Sequence, residues 1–106
     1  MNVTSYAQGN WITEGTESDL KSAVDGKTVA ALVEADLDYK AMCEYARTVG
    51  GPALRDMTIH QRAFKIKFLA KYLIERKEKF YQLSTHTGAT RQDSWIDIEG
   101  GIGTMF

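Results

Sequence analysis

The residues best able to do chemistry are few and scattered along the chain. Cys43 is the single thiol. It could act as a nucleophile, but it falls among Tyr39, Met42, Ala46 and Val49, which recur at helical spacing. A free thiol on such a stripe ordinarily behaves as a small buried hydrophobe, so Cys43 is expected in the core. His60 and His86 stand near opposite ends of one long helical stretch. At about 1.5 Å per residue they lie about 39 Å apart along its axis, too far to share a metal ion, and capping or solvation is expected of both. Asp93, Asp97 and Glu99 suggest acid and base work, and Asp93 and Asp97 share a helix face. No His, Arg or second carboxylate cluster stands beside them, so capping and solvation suffice.

Two patterns suggest binding. Gly101 and Gly103 have the first spacing of the dinucleotide loop G-x-G-x-x-G, but position 106 is Phe, no apolar strand precedes the glycines and no helix follows to receive a phosphate. Close helix packing is the expected use of these glycines. The basic run Arg62, Lys65, Lys67, Lys71, Arg76, Lys77 and Lys79, with Tyr72, Phe80 and Tyr81 interleaved, has the ingredients of a single-strand nucleic-acid surface. Its cations are spread around the helix, and Glu75 stands four residues before Lys79 as a favourable pair. A solvated or partner-facing helix surface is expected, and no nucleic acid. The residues alone therefore assemble no catalytic, cofactor-binding or metal site.

The totals agree. A chain of 106 residues, 43% hydrophobic and 25% charged, has the length and composition of one ordinary domain. A net charge of -1 gives no bulk attraction to nucleic acid or to an anionic membrane. The start, MNVTSYAQGNW, has no basic segment followed by an apolar run, and no window approaches the roughly 20 apolar residues of a membrane span. One cysteine agrees with a reducing compartment, so a cytoplasmic location is expected.

The elements expected to position these residues are two hairpins over residues 1–35 and a helical part over 36–106, an α+β chain that is mostly helical. Gly9-Asn10 separates Tyr6 from Trp11 and fits a tight hairpin turn. Residues 13–19 (TEGTESD) read as a polar turn. Asp25-Gly26, between LKSAV and KTVAALVEA, fits the two-residue turn of a second hairpin. From Leu37 a helix begins, capped by Asp36 or Asp38, and Gly50-Gly51 is expected to end it, with Pro52 starting a new turn. Thr58 and Gln61 have capping-box spacing. From there to Thr87 no Gly or Pro intervenes, which predicts one helix about 42 Å long that buries Ile59, Ala63, Ile66, Ala70, Leu73, Phe80 and Leu83. Gly88 ends it.

Thr90 and Asp93 start a last helix, with Trp95, Ile98, Ile102 and Met105 on one face and Gly100, Gly101 and Gly103 opposed. Each glycine costs about 1 kcal/mol against alanine inside a helix, a cost recovered when another backbone approaches closely. The segment has no stop signal after Phe106, so we expect a truncated single domain. Trp95, Ile98, Ile102, Met105 and Phe106 are then the expected partner interface, holding either a second copy in a homo-oligomer or the missing remainder of a longer protein. A stand-alone interaction protein that holds a partner through the same helix is the alternative.

End to end, the chain resembles the N-terminal segment of the aldehyde dehydrogenase superfamily. The matching stretches are DGKTVAALVEADLD, EYAR and TIHQRAFKIKFLAKYLIERKEKFYQLSTHTGATRQDSW. VGGPALRDMT and GATRQDSWIDIEGGIGTMF are similar to the bacterial ring-opening enzymes of phenylacetate degradation, in which a hydratase-like domain follows the dehydrogenase. The resemblance implies the start of a nucleotide-binding domain, NADP or NAD as the family's cofactor, and oxidation of an acyl-CoA-linked semialdehyde. It also implies that the catalytic cysteine, the general-base glutamate and the cofactor-binding strands belong to sequence beyond residue 106. Cys43 does not lie in the family's nucleophile motif, and this chain is expected to be inactive alone.

Overall fold

The computed structural model describes residues 1–106 as an α+β chain. Its first strands are β1 (Asn2–Val3), β2 (Ser5–Ala7) and β3 (Asn10–Ile12). β2 and β3 pair antiparallel, Tyr6 opposite Trp11, with ring centroids 5.0 Å apart and edge to face. The hairpin is the expected one, but its turn is Gln8-Gly9 and not Gly9-Asn10. Setting Tyr6 opposite Trp11 leaves two residues between the Ala7–Asn10 pair, and these take φ of 52° and 82°. Asn10 is thereby drawn into the strand, where its Nδ2 donates to the Gln8 carbonyl at 3.2 Å.

A second sheet has the order β1-β5-β4, with β4 (Thr16–Lys21) antiparallel and β1 parallel to the central β5 (Thr28–Glu34). β5 buries Ala30 and Val33. The expectation of a polar turn over 13–19 is corrected here, because Thr16–Asp19 belongs to a strand whose six residues are all exposed. A ladder on a solvated edge leaves no apolar alternation to read. The Asp25-Gly26 turn is corrected too. The connection runs from Ser22 to Lys27, closed by Ser22 N donating to Lys27 O at 2.8 Å, and only Gly26 takes a positive φ, 71°. Gly15, just before β4, is held to glycine by space, since a Cβ there would collide with the Glu34 carbonyl.

Asp38 caps α1 (Tyr39–Tyr45), its Oδ1 accepting from Ala41 N at 2.9 Å. Gly50-Gly51 does not end the helix as expected. Both residues are right-handed, and the chain continues through a π turn (Ala46–Gly50) into α2 (Gly51–Arg55). Gly51 N donates to Ala46 O, five residues back, so the ladder widens just before Pro52, which has no N–H and in a regular turn would crowd the carbonyl four residues earlier. Besides the π turn that continues it, little packs against α1, so the expected apolar stripe stays open. No residue of α1 or α2 is buried, and Cys43 is exposed, not in the core.

These elements form one compact unit, Met1–Ser22 with Gly26–Asp56; a second comprises Ala23–Asp25 with Met57–Phe106. The boundary falls after Asp56, so the first helix belongs with the strands. In the second unit the Thr58 capping box is complete, with Gln61 N donating to Thr58 Oγ1 at 3.2 Å and Thr58 N to Gln61 Oε1 at 2.8 Å.

The long helix is interrupted, against expectation, into α3 (Ile59–Ile74) and α4 (Lys77–Ser84). Neither Gly nor Pro causes the break. Arg76 N donates to Leu73 O at 2.9 Å, three residues back, and the guanidinium of Arg76 donates to the Tyr72 carbonyl at 3.0 Å, the acceptor its own N–H would use in a continuous helix. A single-turn 3-10 segment, Thr85–Thr87, follows α4, and Gly88, at φ 84°, stops it as expected. Ala23 N donates to His86 O at 2.8 Å, which ties residues 23–25 to this unit. The last helix starts at Thr90, whose capping box with Asp93 is complete, and runs through α5 (Arg91–Trp95), a π turn (Ile96–Gly100) and α6 (Gly101–Gly103).

Candidate functional site

Polar groups in the second unit tie α4 to the last helix. Lys77 and Tyr81 stand four residues apart and so project from one face of α4. Both reach Glu99 Oε1, Tyr81 donating at 2.7 Å and Lys77 at 3.0 Å. The Arg91 guanidinium lies 3.8 Å from the centre of the Tyr81 ring and pairs with Glu78 at 3.1 Å. Ser84 and Ser94 share a hydrogen bond of 2.8 Å behind them.

The electrostatics make this cluster a clasp and not an acid–base pair. Burial, followed by the hydrogen bond to Glu99, holds the Tyr81 phenol above its ordinary range. The hydrogen bond from Tyr81, then that from Lys77, holds the Glu99 carboxyl below its own. Tyr81 is thus kept protonated and Glu99 ionised at neutral pH, and neither is poised to exchange a proton. Asp93 is lowered chiefly by the hydroxyl of Thr90, which donates at 2.6 Å, as capping requires. The sequence reading missed the clasp, although Lys77 and Tyr81 at helical spacing were a usable signal.

Beside the clasp lies an open apolar groove of about 490 Å³, walled by Leu73, Phe80 and Leu83 on one side and by Ile98, Ile102 and Met105 on the other. A second groove of about 370 Å³ runs between His60, Phe64 and Lys67 of α3 and Met105 and Phe106. The Lys67 ammonium stands 6.0 Å from the Phe106 ring. The five residues expected to form one interface have three fates. Trp95 and Phe106 are exposed, Ile98 and Met105 line the first groove half-buried, and Ile102 is enclosed at 7% exposure.

Helix α3 departs most from expectation. Of its expected buried stripe only Ala70 is buried; Ile59, Ala63 and Ile66 are exposed, as is Leu83 on α4. Phe64, Phe68, Leu69 and Tyr72 are exposed as well, so apolar side chains surround most of the helix. Little of the unit packs on α3 besides the short α6, which is why the stripe stays open. The glycines meet no close neighbour here, since a Cβ at Gly100, Gly101 or Gly103 would enter open space.

The same glycines do not fit a nucleotide. They lie within a helix in right-handed conformation, and the segment that follows Gly100 is three residues long, so no phosphate-receiving loop and helix start exist. No group of three or more His, Cys, Asp or Glu residues could hold a metal ion, and no helix is long and apolar enough to cross a membrane. Glu75 pairs with its neighbour Arg76, at 3.7 Å, within the helix break.

No family model matches the chain. It is similar to a 3,4-dehydroadipyl-CoA semialdehyde dehydrogenase of Aromatoleum evansii, 31% identical over 107 residues, an alignment covering 99% of this chain. The chain spans 21% of the length of that relative. The similarity supports a relationship to the aldehyde dehydrogenase family.

Proposed function

We propose that this chain is the N-terminal segment of an NAD- or NADP-dependent dehydrogenase that oxidises an acyl-CoA-linked semialdehyde, of the type used in phenylacetate degradation in the cytoplasm, and that it performs no chemistry alone. The observation that carries this reading is α3, a sixteen-residue helix apolar on most sides with one buried residue. A helix of that kind is stable inside a larger protein, where its faces have partners. Similarity to about a fifth of a semialdehyde dehydrogenase, along nearly all of this chain, supports the reading.

On this reading the two units are scaffold. The nucleophilic thiol, the base and the nicotinamide site belong to the remaining polypeptide, and the clasp between Tyr81 and Glu99 sets the walls of the groove against which that polypeptide lies. Without it, two copies associate through the last helix, using the exposed Trp95 and Phe106 with Ile98 and Met105; Ile102, being enclosed, shapes the surface and does not touch the partner.

The test is to co-produce this chain with the Aromatoleum evansii dehydrogenase lacking its matching fifth, and to follow reduction of NAD and NADP by 3,4-dehydroadipyl-CoA semialdehyde. Turnover by the pair and by neither part alone is expected. Turnover by this chain alone, or an inactive pair, contradicts the reading.

A further inference from the structure

Helix α3 carries a second apolar ridge that its own unit leaves largely open, with Phe64 alone also bordering the groove beside Phe106. At about 100° per residue, Phe64, Phe68 and Tyr72 line up along one side, roughly opposite Ala70. Phe64 and Phe68 are 69% and 73% exposed, and Tyr72 is about half exposed. The same geometry sets Lys71 along one edge of the ridge and Lys65 along the other. The ion pairs of the unit employ Arg76, Lys77 and Arg91 and leave both of these lysines to solvent. From Ile59 to Ser84 the chain has seven cations against two carboxylates.

We propose that this ridge receives an amphipathic helix with acidic flanks, contributed by the part of the dehydrogenase polypeptide outside these residues; the proposal rests on the reading given above. A ridge at every fourth residue fits the groove between the corresponding rows of another helix, which crosses it at about −50°. The lysines then stand where carboxylates on the flanks of the incoming helix meet them, and a basic helix is repelled. Nucleic acid fits the ridge less well, because the Arg76 guanidinium lies 3.5 Å over the Tyr72 ring and occupies the face on which a base would stack.

The experiment places a photoreactive benzoylphenylalanine at position 68 of this chain, co-produced with the truncated Aromatoleum evansii dehydrogenase, and maps the cross-linked peptide by mass spectrometry. A cross-link to a helical, Asp- and Glu-rich peptide of the dehydrogenase is expected. Lys65→Glu combined with Lys71→Glu should slow association about tenfold at about 50 mM salt, with the difference closing as salt screens the charges. Cross-linking to a second copy of this chain or to co-purified RNA overturns the proposal, as does an association rate indifferent to the charge reversal. An active complex with no cross-link at position 68 overturns the acidic helix and leaves the dehydrogenase reading standing. Failure of the two parts to associate removes both.

Discussion

Tyr81 and Glu99 meet at 2.7 Å between α4 and the last helix, and the carboxylate oxygen that accepts from the phenol is also the one that meets Lys77. Their titrations are displaced in opposite directions, which gives the unit a stability profile with two limbs. Glu99 and Asp93 are lowered, so their contribution is present above the ordinary carboxylate range, about pH 4, and is lost as pH falls through their folded values. Tyr81 is raised, so its contribution is full below about pH 10 and is lost as pH rises through its folded value. Urea midpoints measured across pH should show both limbs. Glu99→Gln should flatten the acid limb in part, leaving that of Asp93, and Tyr81→Phe should remove the alkaline one. Identical profiles for the wild type and both variants would contradict the assignment.

Arg76 replaces a missing backbone bond with its own side chain. Arg76→Ala removes the donor to the Tyr72 carbonyl at 3.0 Å and the stacking over the Tyr72 ring. Losing a charged hydrogen bond and an exposed cation–π contact should lower stability by about 1–2 kcal/mol by urea denaturation. A loss no larger than that of Lys79→Ala would mean that the break is held by something else.

Two kinds of glycine should answer oppositely to alanine. Gly15→Ala forces a Cβ into the Glu34 carbonyl and should cost about 1–3 kcal/mol or prevent folding of the first unit. Gly103→Ala meets open space in a helical turn and should stabilise this chain by about 0.5–1 kcal/mol, while weakening its proposed association with the truncated Aromatoleum evansii dehydrogenase. Thermal melts measure the first pair of effects, and titration of the two parts measures the last.

Cys43 is exposed on α1. A thiol reagent should therefore modify it in the native protein at a rate close to that in denaturant, with no loss of helical circular dichroism. Protection of more than about a hundredfold, the behaviour of a buried thiol, would contradict the structure.

These features were not equally accessible from the residue pattern. Capping at Thr58 and Thr90 was, because a side chain and a backbone N–H three residues apart settle it locally. The first hairpin was placed to within one residue, since the Tyr6–Trp11 pairing and not the turn dipeptide chose the register. Strand β4 was hidden by its polar residues, and the break at Arg76 by the absence of Gly or Pro. Cys43, Ile59 and Ile66 were expected inside because periodicity reports which face is apolar and not whether anything covers it. Glu99 was read as solvated because its partners, Lys77 and Tyr81, lie about twenty residues away in sequence.

The open apolar surface of the second unit is proposed to lie against polypeptide of a dehydrogenase outside these residues. Sedimentation of this chain with the Aromatoleum evansii dehydrogenase lacking its matching fifth tests it most directly. One copy of each should sediment together as a stable complex at micromolar concentration, with the self-association of this chain abolished. Two species that sediment independently, with this chain a monodisperse monomer, would contradict the account.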